Sequence, residues 1–244
     1  MRNSNLIKIC IISVFFCNSI FSQNDNNKED HKNSGFLDFN GYYDSREFST
    51  ITINALVNLP QRFQYFSLTN FQGTDKTSDL STYYTEQNIR WNLKNNSPID
   101  LTMQWVSRAN SNNDNLRLGI RWRLNNTKKI KSFFEKLNLS YSVNFHLLQF
   151  TSKSQSNLLP QIEHVYRISL FPSIFKNRLY IGGFADQNIN YQDNGKLSFN
   201  WVSEHQIGYN IFNSLFIVLE YRINDFLPNN NEGLGYGLEY NIKL

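Results

Sequence analysis

Alternation of apolar and polar residues is the dominant pattern along this chain, and it is clearest at the C-terminal end. Between Leu234 and Leu244 every second residue is aliphatic or tyrosine, and the residues between them are Gly, Glu, Asn or Lys. A period of two places these sets on opposite faces of an extended strand. A final strand with one apolar face is what a membrane β-barrel needs to close its sheet in lipid.

The same period recurs from Phe36 onwards and predicts about twelve strands, an even number as in single-chain bacterial barrels. The predicted strands are residues 36–43, 48–59, 62–71, 83–93, 99–105, 116–124, 137–149, 161–171, 179–191, 199–211, 215–227 and 234–244. At residues 127–136 apolar residues follow a helical spacing behind Thr127, a candidate N-cap, which predicts a short amphipathic helix at a barrel rim. The pattern therefore indicates an all-β protein, a transmembrane antiparallel β-barrel.

The tryptophans provide a second test of this fold. If the chain ends on the periplasmic side, strand parity places Trp91 and Trp122 near the periplasm and Trp105 and Trp201 near the outside. All four lie on apolar faces. An aromatic belt at both interfaces is typical of membrane barrels, whereas the alternative fold, a soluble β-sandwich, gives no reason for it.

The N-terminus has the features of a secretory signal. Arg2 and Lys8 give the segment a basic start, and an apolar core follows from Ile9 to Phe16. This core is too short to favour a membrane-spanning helix, and cleavage is expected after Ser22. We therefore divide the chain into a signal peptide (1–22), a flexible leader (23–35) and an outer-membrane barrel (36–244). Both cysteines, Cys10 and Cys17, lie in the signal, so the mature chain has no disulfide and no cysteine-based metal site.

Composition and charge narrow the functional class. The chain is 40% hydrophobic and 15% aromatic, and its mean hydropathy of -0.48 excludes a helical membrane protein. Cleavage of the signal peptide removes Arg2 and Lys8, so the formal net charge falls from +4 to +2 (4 − 2). This net charge is too close to neutral to indicate nucleic-acid binding. No metal or other cofactor is implied.

Charged residues lie on the polar faces, which would line the lumen. The functional interpretation is a mixed-charge pore that binds and passes a polar solute; the alternative is that these charges pair and fill a narrow barrel. Some aromatic residues also lie on polar faces, where they could stack on a planar base or sugar ring or simply fill space. The candidate substrate-binding residues are Arg90, Arg117, Arg121, Glu86, Glu204, Arg222, Tyr180 and Phe184.

The combination of a signal peptide, about twelve strands, a mixed lumen and no mature cysteine resembles the nucleoside-specific channel (Tsx-like) family of outer-membrane proteins. The resemblance is one of architecture over residues 36–244, and it implies passive uptake of nucleosides. The C-terminal stretch also resembles the assembly signal of bacterial outer-membrane barrels, at Gly237, Tyr240 and Ile242, although the chain ends on Leu244 rather than an aromatic residue. The implied partners are outer-membrane lipids and the barrel assembly machinery of a Gram-negative bacterium.

Two other functions compete with a channel. Outer-membrane lipid hydrolases, of the phospholipase or lipid A deacylase type, need a histidine that activates a serine, often in the order His-x-Ser. Here Ser203 precedes His205, and we expect His164 and His205 to lie on lipid-side faces near the headgroups, so we predict no enzyme activity. A structural or adhesive barrel is the other alternative, but its 110–115 loop has one carboxylate, Asp114, which is too few for a calcium loop.

Overall fold

The computed structural model describes residues 34–73, 80–109, 114–151, 160–191 and 196–244. The predicted signal peptide, the predicted leader up to residue 33, and residues 110–113 of the loop considered for calcium lie outside these ranges. Within the described ranges, no helix is long and apolar enough to cross a bilayer.

The described residues form one closed barrel of twelve antiparallel strands, in which each strand pairs with its neighbours in sequence and β1 pairs with β12. This confirms the predicted fold class, including closure by the C-terminal strand. The strands are β1 (Gly35–Asp44), β2 (Phe48–Leu59), β3 (Phe63–Gln72), β4 (Thr82–Asn92), β5 (Ile99–Arg108), β6 (Asn115–Arg123), β7 (Leu139–Thr151), β8 (Gln161–Ser169), β9 (Leu179–Tyr191), β10 (Leu197–Phe212), β11 (Leu215–Asn224) and β12 (Glu232–Lys243).

The two ends of the barrel differ in their connections. We call the end that carries both barrel termini the turn end; there, 3-10 turns at Pro60–Arg62 and Leu124–Asn126 and short helices α1 (Lys131–Lys136) and α2 (Pro172–Phe175) join successive strands. The opposite end, the loop end, carries the connections that follow the odd-numbered strands. The assignment of the turn end to the periplasm stays a prediction.

The outer and inner surfaces of the barrel have opposite chemistry. Large apolar side chains such as Ile89, Trp105 and Leu238 face outward and are exposed, while polar and charged side chains such as Glu86 and Gln104 are buried inside. This is the reverse of a water-soluble protein and matches lipid outside a polar lumen. An outward arginine at mid-membrane would cost about 2–4 kcal/mol, so the bilayer enforces the separation.

Several predicted details are wrong at strand ends and turns. The helix predicted at residues 127–136 begins only at Lys131, and Thr127 does not cap it: the Thr127 hydroxyl accepts a hydrogen bond from Trp122 Nε1 at 2.8 Å. The helix α2 was not predicted; it lies in the short interval between the predicted eighth and ninth strands, residues 161–171 and 179–191. Ring packing explains α1: Phe134 is buried and stacks on Tyr141, with ring centroids 6.3 Å apart.

A register shift in β7 changes which residues face the lumen. Gly119 of β6 pairs with His146, whereas the preceding Leu118 pairs with Leu148, so Leu147 has no partner on β6. Such a bulge adds one residue to one strand. Both Leu147 and Leu148 are exposed on the outside while His146 is buried inside, an arrangement that strict alternation could not give.

Candidate functional site in the barrel lumen

The eight candidate residues from the sequence all lie on lumen-facing positions, but the fold separates them into two groups. Neighbouring strands β4 to β6 carry the first group, and β9 to β11 carry the second. The first group is Glu86, Arg90, Arg117 and Arg121; the second group is Tyr180, Phe184, Glu204 and Arg222.

Asp100 of β5 organises the turn-end part of the first group. Its carboxylate accepts from Arg121 Nε at 2.7 Å and Nη2 at 2.6 Å, and from Arg123 Nη2 at 3.1 Å. Asn92 Nδ2 donates to the same carboxylate at 2.8 Å. The side chain of Asp100 is only 2% exposed, so Arg121 is held in a buried, multiply bonded ion pair rather than projecting free into the lumen.

Arg117 belongs to a second hydrogen-bonded chain across β4, β5 and β7. It donates to Gln104 Oε1 at 2.8 Å and to Gln149 Oε1 at 2.9 Å. Gln104 in turn donates to Glu86 at 2.9 Å, and the Tyr84 hydroxyl also donates to Glu86. The chain fixes the position of Arg117, and within the part of the protein that the structure describes no carboxylate lies directly against its guanidinium, so its positive charge is compensated there only indirectly.

Arg90 lies on the wall between these two networks. It donates to Gln64 Oε1 at 3.2 Å, and its guanidinium lies 4.8 Å from the centroid of the Phe66 ring. Arg90 and Arg121 also line a cavity of about 340 Å³ that opens at the turn end. Cationic side chains around such a mouth would attract an anionic group of a solute that passes it.

The second group centres on Arg222 of β11. Its guanidinium bonds the Glu220 carboxylate, lies 4.0 Å from both Glu204 and Asp44, and stacks 5.0 Å over the ring of Tyr42. Three carboxylates therefore surround the Arg222 guanidinium, and one of them, Asp44, is also bonded by Arg46 at 2.8 Å.

Tyr180 is engaged on several sides, which agrees with the alternative that an inward-facing aromatic side chain fills space. Its hydroxyl donates to Glu239, Arg167 lies 3.5 Å from its ring centroid, and the Phe216 ring meets it edge-on at 5.7 Å. Phe184, by contrast, is half-buried at a lumen-facing position opposite Glu204. Of the two aromatic candidates, Phe184 is therefore the one that retains solvent contact.

Charge is distributed unevenly around the described part of the lumen. The lumen faces of β4–β6, which we call the basic arc, carry Arg90, Arg108, Arg117, Arg121 and Arg123 against Glu86 and Asp100. The lumen faces of β8–β12 and β1, which we call the acidic arc, carry Asp38, Asp44, Glu163, Asp186, Glu204, Glu220 and Glu239 against Arg167, Arg222 and Lys243. A solute between the arcs would experience a transverse electric field.

His164 and His205, the two histidines considered for a hydrolase, each hydrogen-bond a tyrosine hydroxyl. His205 Nδ1 bonds the Tyr166 hydroxyl at 2.8 Å, and His164 Nδ1 bonds the Tyr141 hydroxyl at 2.7 Å. Both histidines face outward, as predicted. His205 is the ninth of the sixteen residues of β10, and its location near the headgroups stays a prediction.

No group of three or more His, Cys, Asp or Glu side chains is arranged to hold a metal ion among the residues that the structure describes. Asp114 is the only carboxylate in the sequence of the 110–115 loop.

Sequence reasoning missed the side chains that hold the candidate arginines in place. Asp100 and Gln104 lie on the lumen face of β5, and Gln64 lies on β3. The alternation on β5 could have identified the lumen face of this strand, because Asp100, Thr102 and Gln104 are successive polar residues of one face. The alternation does not give the register between strands, which determines the arginine that each of these side chains meets.

Comparison with known proteins agrees with the barrel architecture. No protein-family model matches the sequence, and no curated protein matches it. The structure of the KdgM porin in complex with disordered oligogalacturonate matches with a TM-score of 0.52 and 14% identity, covering 84% of this chain and 98% of that chain. The structure of the NanC porin in a rhombohedral crystal form matches with a TM-score of 0.55 and 12% identity, covering 85% and 100%. At these identities the likeness is one of fold: a twelve-stranded porin-type barrel.

Proposed function

We propose that this chain is an outer-membrane channel for the passive uptake of small polar solutes. The observation that carries the proposal is a closed barrel whose charged residues line the lumen while some of them keep solvent contact. Arg167 is exposed, and the side chain of Glu204 is 25% exposed. The porin-type fold supports the same function, since the KdgM and NanC structures have this architecture.

Nucleosides are the first solutes to test. Support comes from Phe184, which keeps a partly exposed ring among lumen carboxylates and could stack on a base. Tyr180 supports it less, because Arg167 and Glu239 already occupy the ring face and the hydroxyl. Acidic oligosaccharides are the second class, because the basic arc offers arginines and the KdgM porin was seen with oligogalacturonate.

The decisive experiment is single-channel recording from the refolded protein in a planar bilayer. We expect discrete conductance steps that added nucleosides reduce in a saturable way. Reduction by an acidic oligosaccharide alone would move the assignment to the second class. Absence of current from protein shown to be inserted would refute the channel, and lipid hydrolysis and loop binding would then be assayed.

Variants of the basic arc test whether its arginines line the conducting path. Arg117→Ala or Arg121→Ala should change conductance or ion selectivity while the protein still inserts, because each removes a cation from the lumen. Lys131→Ala is a matched control, because it removes an exposed cation from α1 at the rim. Unchanged conductance in both arginine variants would mean that these charges only fill and rigidify the barrel.

A further inference from the structure

A patch of hydrogen-bond acceptors lies on the lumen face of β7, β8 and β9. It consists of Asn144, His146, Gln161, Glu163 and Asp186, which we call the acceptor patch. The register places Asn144, Glu163 and Asp186 side by side across the three strands, and His146 beside Gln161 in the adjacent row. The function proposed above gives this patch no role.

The acceptor patch has more acceptors than donors. The Asn144 amide and His146 Nε2, the latter at 3.4 Å, both approach the same oxygen of Glu163. Three other oxygens are buried without a partner among the described residues: Asp186 Oδ1, Gln161 Oε1 and Asn144 Oδ1. The exposures of these side chains are 9%, 2% and 3%, so bulk water does not replace the missing bonds.

Electrostatics indicates what kind of partner the patch lacks. Glu163 and Asp186 are directly opposite each other on neighbouring strands, an arrangement in which like charges are unfavourable. The strongest charge interactions of Asp186 are with the carboxylates of Glu163, Glu86 and Glu204 and with one guanidinium, that of Arg117. A buried, partnerless acceptor is costly to leave unsatisfied, and a cation would supply both the charge and the contacts that these oxygens lack.

We infer that the acceptor patch binds a small monovalent cation, either an alkali ion or the ammonium group of a solute. A chelated divalent metal fits less well, because the described carboxylates and histidine do not converge as a metal-binding group. Oxygen atoms from two carboxylates and two amides suit a weakly held ion that can exchange. The site would stand even if the barrel conducts no solute.

The first test measures binding without requiring a channel. Unfolding of the refolded protein is followed in chloride solutions of equal ionic strength that contain K⁺, NH₄⁺, ethanolammonium or tetramethylammonium. A cation that binds only the folded state stabilises it. K⁺ or the two ammonium ions should raise the unfolding midpoint relative to tetramethylammonium, which is larger and has no N–H donor.

Variants connect that effect to the patch. Asp186→Asn and Glu163→Gln should each abolish the cation-dependent shift. Glu239→Gln should retain it, although it also removes a buried lumen carboxylate, because Glu239 already accepts from Tyr180 and Gln206. Stabilisation by K⁺ identifies an alkali-ion site, and stabilisation by the ammonium ions alone identifies an amine site. Equal midpoints in all four salts would overturn the inference.

The second test uses the channel itself. Reversal potentials in a KCl gradient give the ratio of K⁺ to Cl⁻ permeability, which should fall in Asp186→Asn and much less in Glu239→Gln. Equal falls in both variants would show a general effect of lumen charge and would overturn a specific site. Cation-dependent stabilisation without any current would refute the channel but leave the cation site in place.

Discussion

Asp100 provides the sharpest test of how the lumen is held together. Of the carboxylates in the described ranges, it is the one directly bonded to Arg121 and Arg123, at 2.6 Å and 3.1 Å, and its side chain is 2% exposed. Asp100→Asn keeps the shape of the side chain but removes its charge. Two guanidiniums at the turn end would then remain without a counterion.

The expected cost follows from the burial of the pair. Removing one partner of a buried ion pair typically costs about 3–5 kcal/mol, because the other charge stays desolvated. Arg123 is 27% exposed and can recover some hydration, so we expect the low end, about 3 kcal/mol. An exposed pair such as Lys131 with Glu135, at 3.5 Å, should contribute only about 0.2–1 kcal/mol.

Urea-induced unfolding in lipid vesicles, followed by tryptophan fluorescence, measures the free energy of unfolding of each variant relative to the unsubstituted protein. Lys131→Ala is the control for loss of a surface charge pair. Adding Arg121→Gln to Asp100→Asn should recover part of the lost stability, because it removes a charge that has no partner. If Asp100→Asn costs no more than Lys131→Ala, lumen water screens the pair and the reasoning fails. Asp100→Asn alone should also raise the anion selectivity of the channel, because Arg121 and Arg123 at the turn end lose the negative charge that they share.

Three further variants test other parts of the barrel by the same unfolding assay. Gly208→Ala should cost about 1–3 kcal/mol, because its Cβ would lie 2.3 Å from the Tyr180 ring. Tyr166→Phe should cost about 0.5–1.5 kcal/mol by removing the hydroxyl bonded to His205. Leu238→Arg should cost about 2–4 kcal/mol, because it places a charge in lipid near the middle of β12.

Matched controls separate these effects from general damage. Gly235→Ala should be nearly neutral, because its nearest neighbour atom, in Tyr42, would be 3.7 Å from the new Cβ. Leu244→Arg should cost no more than about 1 kcal/mol, because Leu244 follows the last residue of β12 at the turn end and lies far from the middle of the barrel wall. A large loss in either control, or equal losses at Leu238 and Leu244, would contradict the assigned geometry.

The fold was predictable because the bilayer imposes a simple rule on each strand. The face of each strand that contacts lipid must be apolar, whereas the face toward the lumen can be polar. The resulting period of two in β2, β5 and β12 is visible without any tertiary information. Loss of the alternation was enough to indicate the helix α1, but not its first residue. The prediction of a helix N-cap at Thr127 failed because the Thr127 hydroxyl accepts a hydrogen bond from Trp122 instead of capping the helix.

The alternation along the chain was enough to predict the barrel, its approximate strand number and most of the charged residues that face the lumen. It could not determine which charges meet, because that depends on the register between strands and on the bulge at Leu147. The register places Asp100 opposite Arg121. It also surrounds Tyr180 with partners and, among the described residues, leaves acceptors near Asp186 without a hydrogen-bond donor. The physical reason is that the bilayer acts on each strand separately, whereas hydrogen bonds and ion pairs need atoms of different strands within about 3 Å.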